Sequence, residues 1–323
     1  MIIALCLLLI TTGGTLLWAD NQLQRTDAIT SWSGEPAAGH GTNWLLAGTD
    51  SREGLTSEQK QQYHTGSASS AEGSRADSIM ILHEGDDGPA LMSIPRDSWV
   101  TIPAYTDSDG TTHPENQNKI NTARTEGGPQ LLLQTVELNT NIHIDHYMEV
   151  GFAGLVNVVN ALGGVDMCLS EPVQDEKSGA DLNAGCQTLN GEQSLAFVRT
   201  RYSLPDSDLS RIQDQQQFIN AMTSEMTSWS TVLNPFNLYP LLSAGLNSVT
   251  VDDNTSMFSI FKMAKNLLKA GDSSGTVLTV PISNQDYETN AGSAVLWDSD
   301  ASQTLFGEIQ NDQPITVTSS DGG

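Results

Sequence analysis

Apolar and polar stretches alternate along the chain, and their lengths predict a mixture of strands and helices. Residues 1–18 form the most apolar stretch and contain no charged side chain. Short apolar runs that end at Gly, Pro or a polar residue are typical of buried strands. We predict such strands at residues 43–48, 78–83, 90–94, 146–150, 165–169 and 277–282. The polar stretches predict a linker at residues 19–40, loops at 53–74 and 103–118, and a polar tail at 311–323.

Longer segments carry apolar residues at helical spacing. Pro129 suits the first turn of one such helix, and the pair Gly163-Gly164 is expected to end another. We predict helices from residue 127 through 138 and at residues 152–162, 191–197, 210–229, 239–247, 255–270 and 301–309. Strands and helices that are mixed along one continuous stretch predict a single α/β domain.

The composition is strongly acidic. The 323 residues include 14 Lys and Arg against 39 Asp and Glu, which gives a formal charge of −25, and 38% of them are hydrophobic. That hydrophobic share is enough to build a core, which excludes a disordered acidic tail. Non-specific nucleic-acid binding needs a basic surface, and the charge therefore argues against it. The charge also argues against attachment to an anionic membrane by charge alone.

The apolar residues 1–18 predict either a membrane helix or the core of a signal peptide. Their length is near the lower limit for a membrane span, about 17 residues. Signal peptides are cleaved after a pair of small residues, and Leu17 does not provide the small partner that cleavage after Ala19 requires. We therefore favour an uncleaved N-terminal membrane helix over a signal peptide.

Three cysteines are present, and two of them bracket one polar loop. Cys6 lies in the apolar segment, whereas Cys168 and Cys186 flank the loop between residues 169 and 185. This arrangement fits a disulfide in an oxidising compartment, which would stabilise the fold by about 3 kcal/mol. Two unpaired thiols are the alternative, and a metal pair is less favoured because no His lies at ligand spacing.

The few basic residues stand at informative positions. Several lie beside carboxylates at the ends of predicted strands, as in Asp50-Ser-Arg52, Arg75-Ala-Asp77 and Pro95-Arg96-Asp97. Arg199-Thr-Arg201 places two guanidinium groups on one side of an extended segment. Strand ends and helix starts commonly meet at one edge of an α/β sheet, where ligands bind.

A helix start adds to this candidate site. Arg211 and Gln215 share one helix face, and Asp208 or Ser210 can cap that helix. Gathered Arg side chains and a helix N-terminus suit a diphosphate. Asp50 and Asp77 can hold a magnesium ion that also binds the phosphates, because magnesium commonly takes one or two carboxylates together with phosphate oxygens.

Surface ion pairs are the alternative to a site at each of these positions, since such pairs are common and weak. Sequence spacing alone does not show that the positions converge. The helical spacing of Lys262, Lys265 and Lys269 is typical of a solvated helix face. The six His residues form no ligand set, and the P-loop, HExxH and GxGxxG motifs are absent from the sequence.

Several short motifs resemble, in order, those of the LytR-CpsA-Psr family. The first are Asn43-Trp-Leu-Leu-Ala-Gly-Thr-Asp-Ser-Arg52, Arg75-Ala-Asp-Ser78, Ser93-Ile-Pro-Arg-Asp-Ser98 and Lys119-Ile-Asn121. Leu189 to Arg201 and Asp208 to Gln216 continue the pattern. Each motif is weak alone, but six in order with the family's spacing are specific, and they cover roughly residues 43–310. Asp214 departs from the pattern, because the family often has Arg there.

The resemblance implies an α/β/α catalytic domain at residues 41–310, with a central mixed sheet flanked by helices. It implies a transferase that moves a glycopolymer from a polyprenyl diphosphate to peptidoglycan as a phosphodiester, with the domain outside the cell membrane. Family positions implied to bind the diphosphate are Arg75, Arg96, Lys119, Arg199, Arg201, Arg211 and Gln215. Asp50 and Asp77 match the magnesium-associated carboxylates, and a disulfide like Cys168–Cys186 is usual in the actinobacterial branch.

The expected reaction is phosphoryl transfer that depends on positioning and electrostatics. An acceptor hydroxyl attacks the sugar-side phosphorus, and polyprenyl phosphate leaves. Arg96 and Arg201 are the cations expected to matter most, and Asp97 or Asp208 is a candidate base by position only. The same site with water as acceptor would make a hydrolase, and a non-catalytic envelope binding or regulatory protein is the third alternative. The sequence does not identify the glycopolymer.

Overall fold

The computed structural model describes residues 19–65, 74–107, 109–200, 245–271 and 275–317, together with residues 218, 221 and 243. The chain divides into two compact units, where the sequence predicted a single domain. The first unit comprises residues 1–24, 51–71 and 150–249, and the second comprises residues 25–50, 72–149 and 250–323. Each unit has its own described hydrophobic core.

The predicted mixture of strands and helices is confirmed for the described residues. The strands are β1 Gln24–Thr26, β2 Thr42–Thr49, β3 Ala76–Gly85, β4 Gly88–Ile94, β5 Trp99–Ile102, β6 Tyr105–Thr106, β7 Thr112–His113, β8 Asn116–Lys119, β9 His146–Val150, β10 Val165–Leu169, β11 Val173–Asp175, β12 Ala180–Leu182, β13 Gly185–Leu189, β14 Val249–Asp252, β15 Thr276–Thr279, β16 Ile282–Thr289 and β17 Gly292–Trp297. The helices are α1 Ser57–Gln62, α2 Ile120–Thr140, α3 Phe152–Leu162, α4 Gly191–Arg199, α5 Met257–Ala270 and α6 Ser299–Gln310.

The second unit is built on a seven-stranded mixed sheet. Its strand order is β1-β14-β9-β2-β3-β4-β15. Strands β2 and β3 are antiparallel, as are β3 and β4, whereas β15 runs parallel to β4. The expected central mixed sheet is therefore confirmed.

Alternating apolar residues of this sheet form the main core together with two helices. Leu45, Ile81 and Met92 on the central strands pack in one cluster with Leu132 of α2 and Leu305 of α6, and all five are fully buried. Alternation along a strand sends such residues to one face, where the helices cover them. Burial of each large side chain contributes about 1.5–3 kcal/mol relative to exposure.

Helix α2 differs from its prediction at its start. We predicted a helix from Gly127, but the helix begins at Ile120 and is broken at Gly127 and Gly128 before it resumes at Pro129. Gly128 has a φ of 72°, a conformation that glycine adopts without a steric penalty. The missing N–H of Pro129 costs little at the start of the resumed segment.

The first unit combines α1, α3 and α4 with two short antiparallel ladders, β10–β13 and β11–β12. Asn190 caps α4 and forms a capping box with Gln193, which satisfies free backbone donors at the helix start. Helix α3 packs closely against the segment that precedes β14: a Cβ added to Gly154 of α3 would lie 2.4 Å from the backbone oxygen of Ser248. Only glycine fits this contact without a shift of the backbone.

The two soluble cysteines are joined, which confirms the predicted disulfide. Cys168 on β10 and Cys186 on β13 are direct partners in the antiparallel ladder, and their Cα atoms are 3.9 Å apart. The alternative of two unpaired thiols is therefore wrong.

Three polar segments contain more structure than predicted. The loop at residues 103–118 includes β6, β7 and the beginning of β8, and the predicted strand at 277–282 is shorter and is followed by the β16–β17 hairpin. The predicted linker at 19–40 contains β1, an edge strand of the large sheet. These strands are short or mostly exposed, and they therefore lack the apolar pattern on which the prediction depended.

Strand β1 is held to the loop after β14 by one guanidinium group. Arg25 donates to the backbone oxygens of Asp252, Asp253 and Thr255 at 3.2, 2.9 and 3.0 Å. The Asp252 side chain in turn accepts a hydrogen bond from the backbone N–H of Tyr147 at 3.0 Å. Burial alone would raise the pKa of Asp252, but hydrogen bonds from His146, Thr255 and this N–H outweigh burial and lower it.

Among the described helices, none combines the length and the apolar character needed to cross a bilayer. Residues 1–18, which carry the predicted membrane helix, lie outside the described residues, as do the predicted helix at 210–229 and most of that at 239–247.

Candidate functional site

Four strand ends of the second unit bring together most of the predicted site residues of that unit. The Asp50 backbone N–H donates to the Arg75 carbonyl at 3.1 Å, and the Asp50 carboxylate accepts from the Arg75 backbone N–H at 2.7 Å. The pairing of β3 with β4 brings the start of one strand beside the end of the other. Pairing of β5 with β8 sets Lys119 opposite Trp99, just after Arg96 and Asp97.

Alternating charges at these strand ends form a continuous chain of ion pairs, here called the strand-edge cluster: Asp77, Arg96, Asp97 and Lys119. Arg96 Nη1 contacts Asp77 Oδ1, and Arg96 Nε donates to Asp97 Oδ2 at 3.3 Å. Lys119 Nζ lies 3.5 Å from Asp97 Oδ1. The structure thus brings together two of the predicted phosphate-binding cations, Arg96 and Lys119.

The cluster is partly open to solvent. The exposed fractions of the side chains are 31% for Arg96, 34% for Asp77, 35% for Asp97 and 20% for Lys119. Ion pairs at this exposure contribute little to stability, about 0–1 kcal/mol each. Accessible cations held in place by carboxylates are suited to bind an anion, and Arg is suited to hold two phosphate oxygens at once.

A buried network that the sequence analysis missed lies beside Asp50. Glu149 on β9 accepts two hydrogen bonds from Arg124, at 2.7 and 2.9 Å, and one from the Tyr147 hydroxyl at 2.6 Å. The Thr49 hydroxyl, adjacent to Asp50 in the chain, donates to the same carboxylate at 3.1 Å. Arg124 was one of the 14 basic residues considered, but nothing in the local sequence points to Glu149 as its partner.

The low exposure of this network changes the proton affinities of its members. Burial raises the pKa of the Tyr147 hydroxyl well above its usual value, and the Glu149 charge adds to the effect. Burial opposes the charge of Arg124, but the hydrogen bonds and charge of Glu149 outweigh burial and raise the pKa of the guanidinium. Arg124 is therefore a permanent cation and Tyr147 a permanent hydrogen-bond donor, which fixes Glu149 and the adjoining end of β2.

Arg199, another predicted phosphate-binding residue, belongs to the first unit. Its guanidinium donates to the backbone oxygens of Tyr63 and His64 at 2.9 and 3.1 Å, and lies 5.1 Å from the centre of the Phe152 ring. These contacts give Arg199 a structural role in joining α4 to α1 and α3. Its predicted role in phosphate binding remains a prediction.

The other predicted site residues are placed only in part. Arg75 is exposed next to Asp50 and Asp77. The residues Arg201, Asp208, Arg211, Asp214 and Gln215 lie outside the described residues.

The strand ends also carry the two carboxylates expected to bind magnesium. Asp50 follows β2 and Asp77 lies near the start of β3, whose ladder with β2 has an irregular register between Gly48 and Thr49. Within the described ranges, no three His, Cys, Asp or Glu residues gather as a metal site. Two carboxylates at neighbouring strand ends fit a magnesium ion whose other ligands are phosphate oxygens and water.

A surface cavity of about 330 Å³ lies at the opposite end of β3 and β4. Its lining includes His83, Pro89, Thr276 and Asp312. His83 is held there by Asn43 at 2.7 Å and Asp312 at 3.2 Å. The lining includes no Arg or Lys, and this cavity is therefore distinct from the predicted anion site.

Comparison with known proteins identifies relatives in cell-wall biosynthesis. The chain is 40% identical over 297 residues to the probable cell wall biosynthesis protein LcpB of Corynebacterium glutamicum, which covers 91% of this chain and 66% of that protein. This chain thus spans slightly less than two thirds of LcpB. The chain is also 29% identical over 215 residues to TagU of Enterococcus faecalis, which is named a polyisoprenyl-teichoic acid–peptidoglycan teichoic acid transferase. This alignment covers 66% of this chain and 67% of TagU.

The fold also matches solved structures. A LytR-Csp2A-Psr enzyme from Actinomyces oris superposes with a TM-score of 0.62 and 22% identity, over 90% of this chain and 96% of that one. At this identity the likeness establishes the fold alone. The LytR_cpsA_psr family model matches residues 15–310, which is most of the sequence. The chain therefore belongs to the LytR-CpsA-Psr family, as the order of its charged motifs predicted.

Proposed function

We propose that this protein is a phosphotransferase that moves a glycopolymer from a polyprenyl diphosphate carrier to peptidoglycan as a phosphodiester. The strand-edge cluster is the observation that carries the proposal. A chain with 39 acidic and 14 basic residues places Arg96 and Lys119 around one carboxylate at a partly open sheet edge. Cations gathered in this way suit a diphosphate, and the name of TagU describes a transfer of the same class.

In the proposed reaction, an acceptor hydroxyl oxygen attacks the phosphorus attached to the sugar. A new P–O bond forms, the bond from this phosphorus to the bridging oxygen breaks, and the polyprenyl phosphate leaves with that bonding pair. Arg96 and Lys119 hold diphosphate oxygens and stabilise the negative charge that develops on the leaving group. Arg201, Arg211 and Gln215 are proposed to add further contacts to the same group.

The acceptor hydroxyl must also lose its proton. Asp97 contacts Arg96 through one oxygen and Lys119 through the other, which orients both cations. We therefore propose Asp97 primarily as a positioning residue, with Asp97 or Asp208 as the group that receives the proton. Replacement of Asp97 by Asn removes the basicity and one of the two acceptor oxygens, and it is therefore expected to lower the rate of transfer in either role.

Asp50 and Asp77 are proposed to hold a magnesium ion together with the diphosphate. Bound magnesium would neutralise charge on the phosphate oxygens. The pairing of Asp77 with Arg96 joins this carboxylate to the cation cluster. Asp50→Asn is expected to weaken magnesium binding in the presence of a non-reactive diphosphate analogue, measured by calorimetry, without loss of the fold.

The proposed location is the outer face of the cell membrane, with residues 1–18 as a single membrane helix and the described residues outside. The disulfide between Cys168 and Cys186 supports an oxidising compartment. The proposed partners are the lipid-linked glycan donor, the peptidoglycan acceptor and the membrane, and no nucleic acid.

The test uses the full chain with a short-chain polyprenyl-diphosphate glycan, magnesium and peptidoglycan oligomers, and products are identified by mass spectrometry. A glycan joined to the oligomer through a phosphodiester is the expected product. Arg96→Ala is expected to reduce the rate by about 10²–10³-fold, as for loss of a charged transition-state contact. Lys60→Ala, which removes a cation from α1, is the charge-matched control and is expected to retain the native rate.

Three other results would contradict the proposal. Polyprenyl phosphate and glycan phosphate without an adduct would indicate a hydrolase. Tight donor binding without turnover, for each acceptor supplied, would indicate a binding protein. A native rate of transfer by Arg96→Ala would show that the strand-edge cluster is not part of the active site.

A further inference from the structure

Helix α5 exposes large apolar side chains to solvent. The exposed fractions are 76% for Phe258, 70% for Phe261 and 41% for Leu268. The opposite side of the helix buries Met263 and Ala270. At 100° per residue, the exposed residues fall on one continuous arc of the helix. The α5 face is defined here as the exposed positions Phe258, Phe261, Lys262, Ala264, Lys265, Leu268 and Lys269.

Among the described helices and strands, the helix that carries this face is the most basic. Helix α5 contains three Lys and no Asp or Glu, whereas the whole chain has a formal charge of −25. Lys262 Nζ lies 2.8 Å from the buried carboxylate of Glu84 and is partly neutralised. Lys265 and Lys269 are exposed and make no ion pair with a carboxylate among the described residues. The sequence predicted a solvated face here, but a solvated face does not explain two exposed Phe rings.

The start of α5 lies close to β1, the strand that follows the apolar N-terminal segment in the sequence. Arg25 on β1 is hydrogen-bonded to Asp253 and Thr255, and α5 begins at Met257. Only five residues, 19–23, separate the apolar residues 1–18 from β1. These five residues form a turn and therefore span less than the roughly 17 Å that five extended residues would cover. If residues 1–18 are embedded in a bilayer, as proposed above, the first turn of α5 must lie near the bilayer surface.

We propose that the α5 face docks on the surface of an anionic lipid bilayer. Phe and Leu enter the interface beside the lipid head groups, and Lys265 and Lys269 pair with lipid phosphates. A second copy of this chain that presents the same face is a poorer partner, because Lys265 and Lys269 of one copy would lie against the same positive charges of the other. This inference goes beyond the proposed transfer reaction and depends only on the proposed location.

The test places a fluorescent reporter on the α5 face of the full chain. In a Cys6→Ala background, Ala264→Cys is labelled with an environment-sensitive fluorophore, while Cys168 and Cys186 remain joined. The matched control is the same label at Gln303→Cys, an exposed position on α6. Each protein is reconstituted in vesicles of phosphatidylcholine alone and of phosphatidylcholine with phosphatidylglycerol. A blue shift is expected only for the label at 264 and only in the phosphatidylglycerol vesicles.

Two pairs of surface substitutions test the chemistry. Lys265→Glu with Lys269→Glu, and Phe258→Ser with Phe261→Ser, are each expected to abolish the shift, and the positions are exposed enough to leave the fold intact. The proposal is overturned if the label at 264 stays silent, if the shift survives charge reversal, or if it is equal in both lipids or at both labels. A shift that appears without lipid as protein concentration rises would indicate self-association instead.

The same variants separate this inference from the proposed enzyme activity. Charge reversal on α5 is expected to leave transfer from a water-soluble short-chain donor unchanged. Arg96→Ala is expected to lose transfer and to retain the lipid-dependent shift. Failure of one proposal therefore leaves the other standing.

Discussion

Replacement of Arg124 by Met is expected to destabilise the second unit strongly. The substitution keeps the approximate length of the side chain but removes the two hydrogen bonds, at 2.7 and 2.9 Å, that neutralise Glu149. The Glu149 side chain is only 7% exposed, and water cannot replace the lost partner easily. Breaking a buried pair in this way typically costs 3–5 kcal/mol, most of it from the charge that is left unpaired.

Urea unfolding, followed by tryptophan fluorescence, measures how much the free energy of unfolding falls in Arg124→Met. Lys119→Met is the matched control, because it breaks a more exposed pair at 3.5 Å and is expected to cost less than about 1 kcal/mol. The double variant Arg124→Met with Glu149→Gln should lose much less than the sum of the single variants, since no buried charge remains. A cost below about 1 kcal/mol for Arg124→Met, or additive single effects, would refute the reasoning.

Three further expectations concern stability. Gly154→Ala should lower the free energy of unfolding by about 1–3 kcal/mol, and with it the melting temperature, because the new Cβ would lie 2.4 Å from the Ser248 oxygen. Gly307→Ala is the control, since a Cβ at that position would have no atom within 4 Å. Reduction of the Cys168–Cys186 bond should cost about 2–4 kcal/mol in chemical unfolding, and no change on adding reductant would contradict a stabilising role. The pKa of Asp252 is lower in the folded protein than in the unfolded chain, where it is about 3.9. The ionised Asp252 carboxylate therefore stabilises the fold fully at a pH above this unfolded pKa, and the stabilisation is lost as the pH falls through the lower pKa of the folded state. The melting-temperature difference between the native chain and Asp252→Asn should accordingly be constant above about pH 5 and shrink below pH 4; a difference that grows at low pH would reverse the assignment.

The sequence singled out the members of the strand-edge cluster because they are adjacent to recognisable strands. Asp77, Arg96 and Asp97 each lie within three residues of an apolar run. That these residues meet was an expectation from the usual convergence of strand ends, since sequence spacing alone does not show it. Arg124 and Glu149 could not be paired in this way, since 25 residues separate them and neither belongs to a motif. Their contact depends on how α2 packs against the sheet, which no local pattern records.

Short exposed strands were missed for a different reason. The β16–β17 hairpin has few buried positions, and its pattern resembles a polar loop. Strand β1 has three residues, and it is held partly by Arg25, whose partners are backbone oxygens more than 225 positions away. Backbone partners leave no trace in side-chain composition, and such contacts therefore escape an analysis of the sequence.

The disulfide has a consequence for how the protein matures. Because Cys168 and Cys186 are direct partners in the β10–β13 ladder, a slip of one residue would turn one sulfur to the opposite face of the ladder. A slip of two residues would move it by about 6.6 Å along the strand, out of bonding reach. Within a formed ladder the bond can therefore close only in the correct register. Once closed, it excludes both slips, and oxidation of this pair fixes the register of β10 against β13.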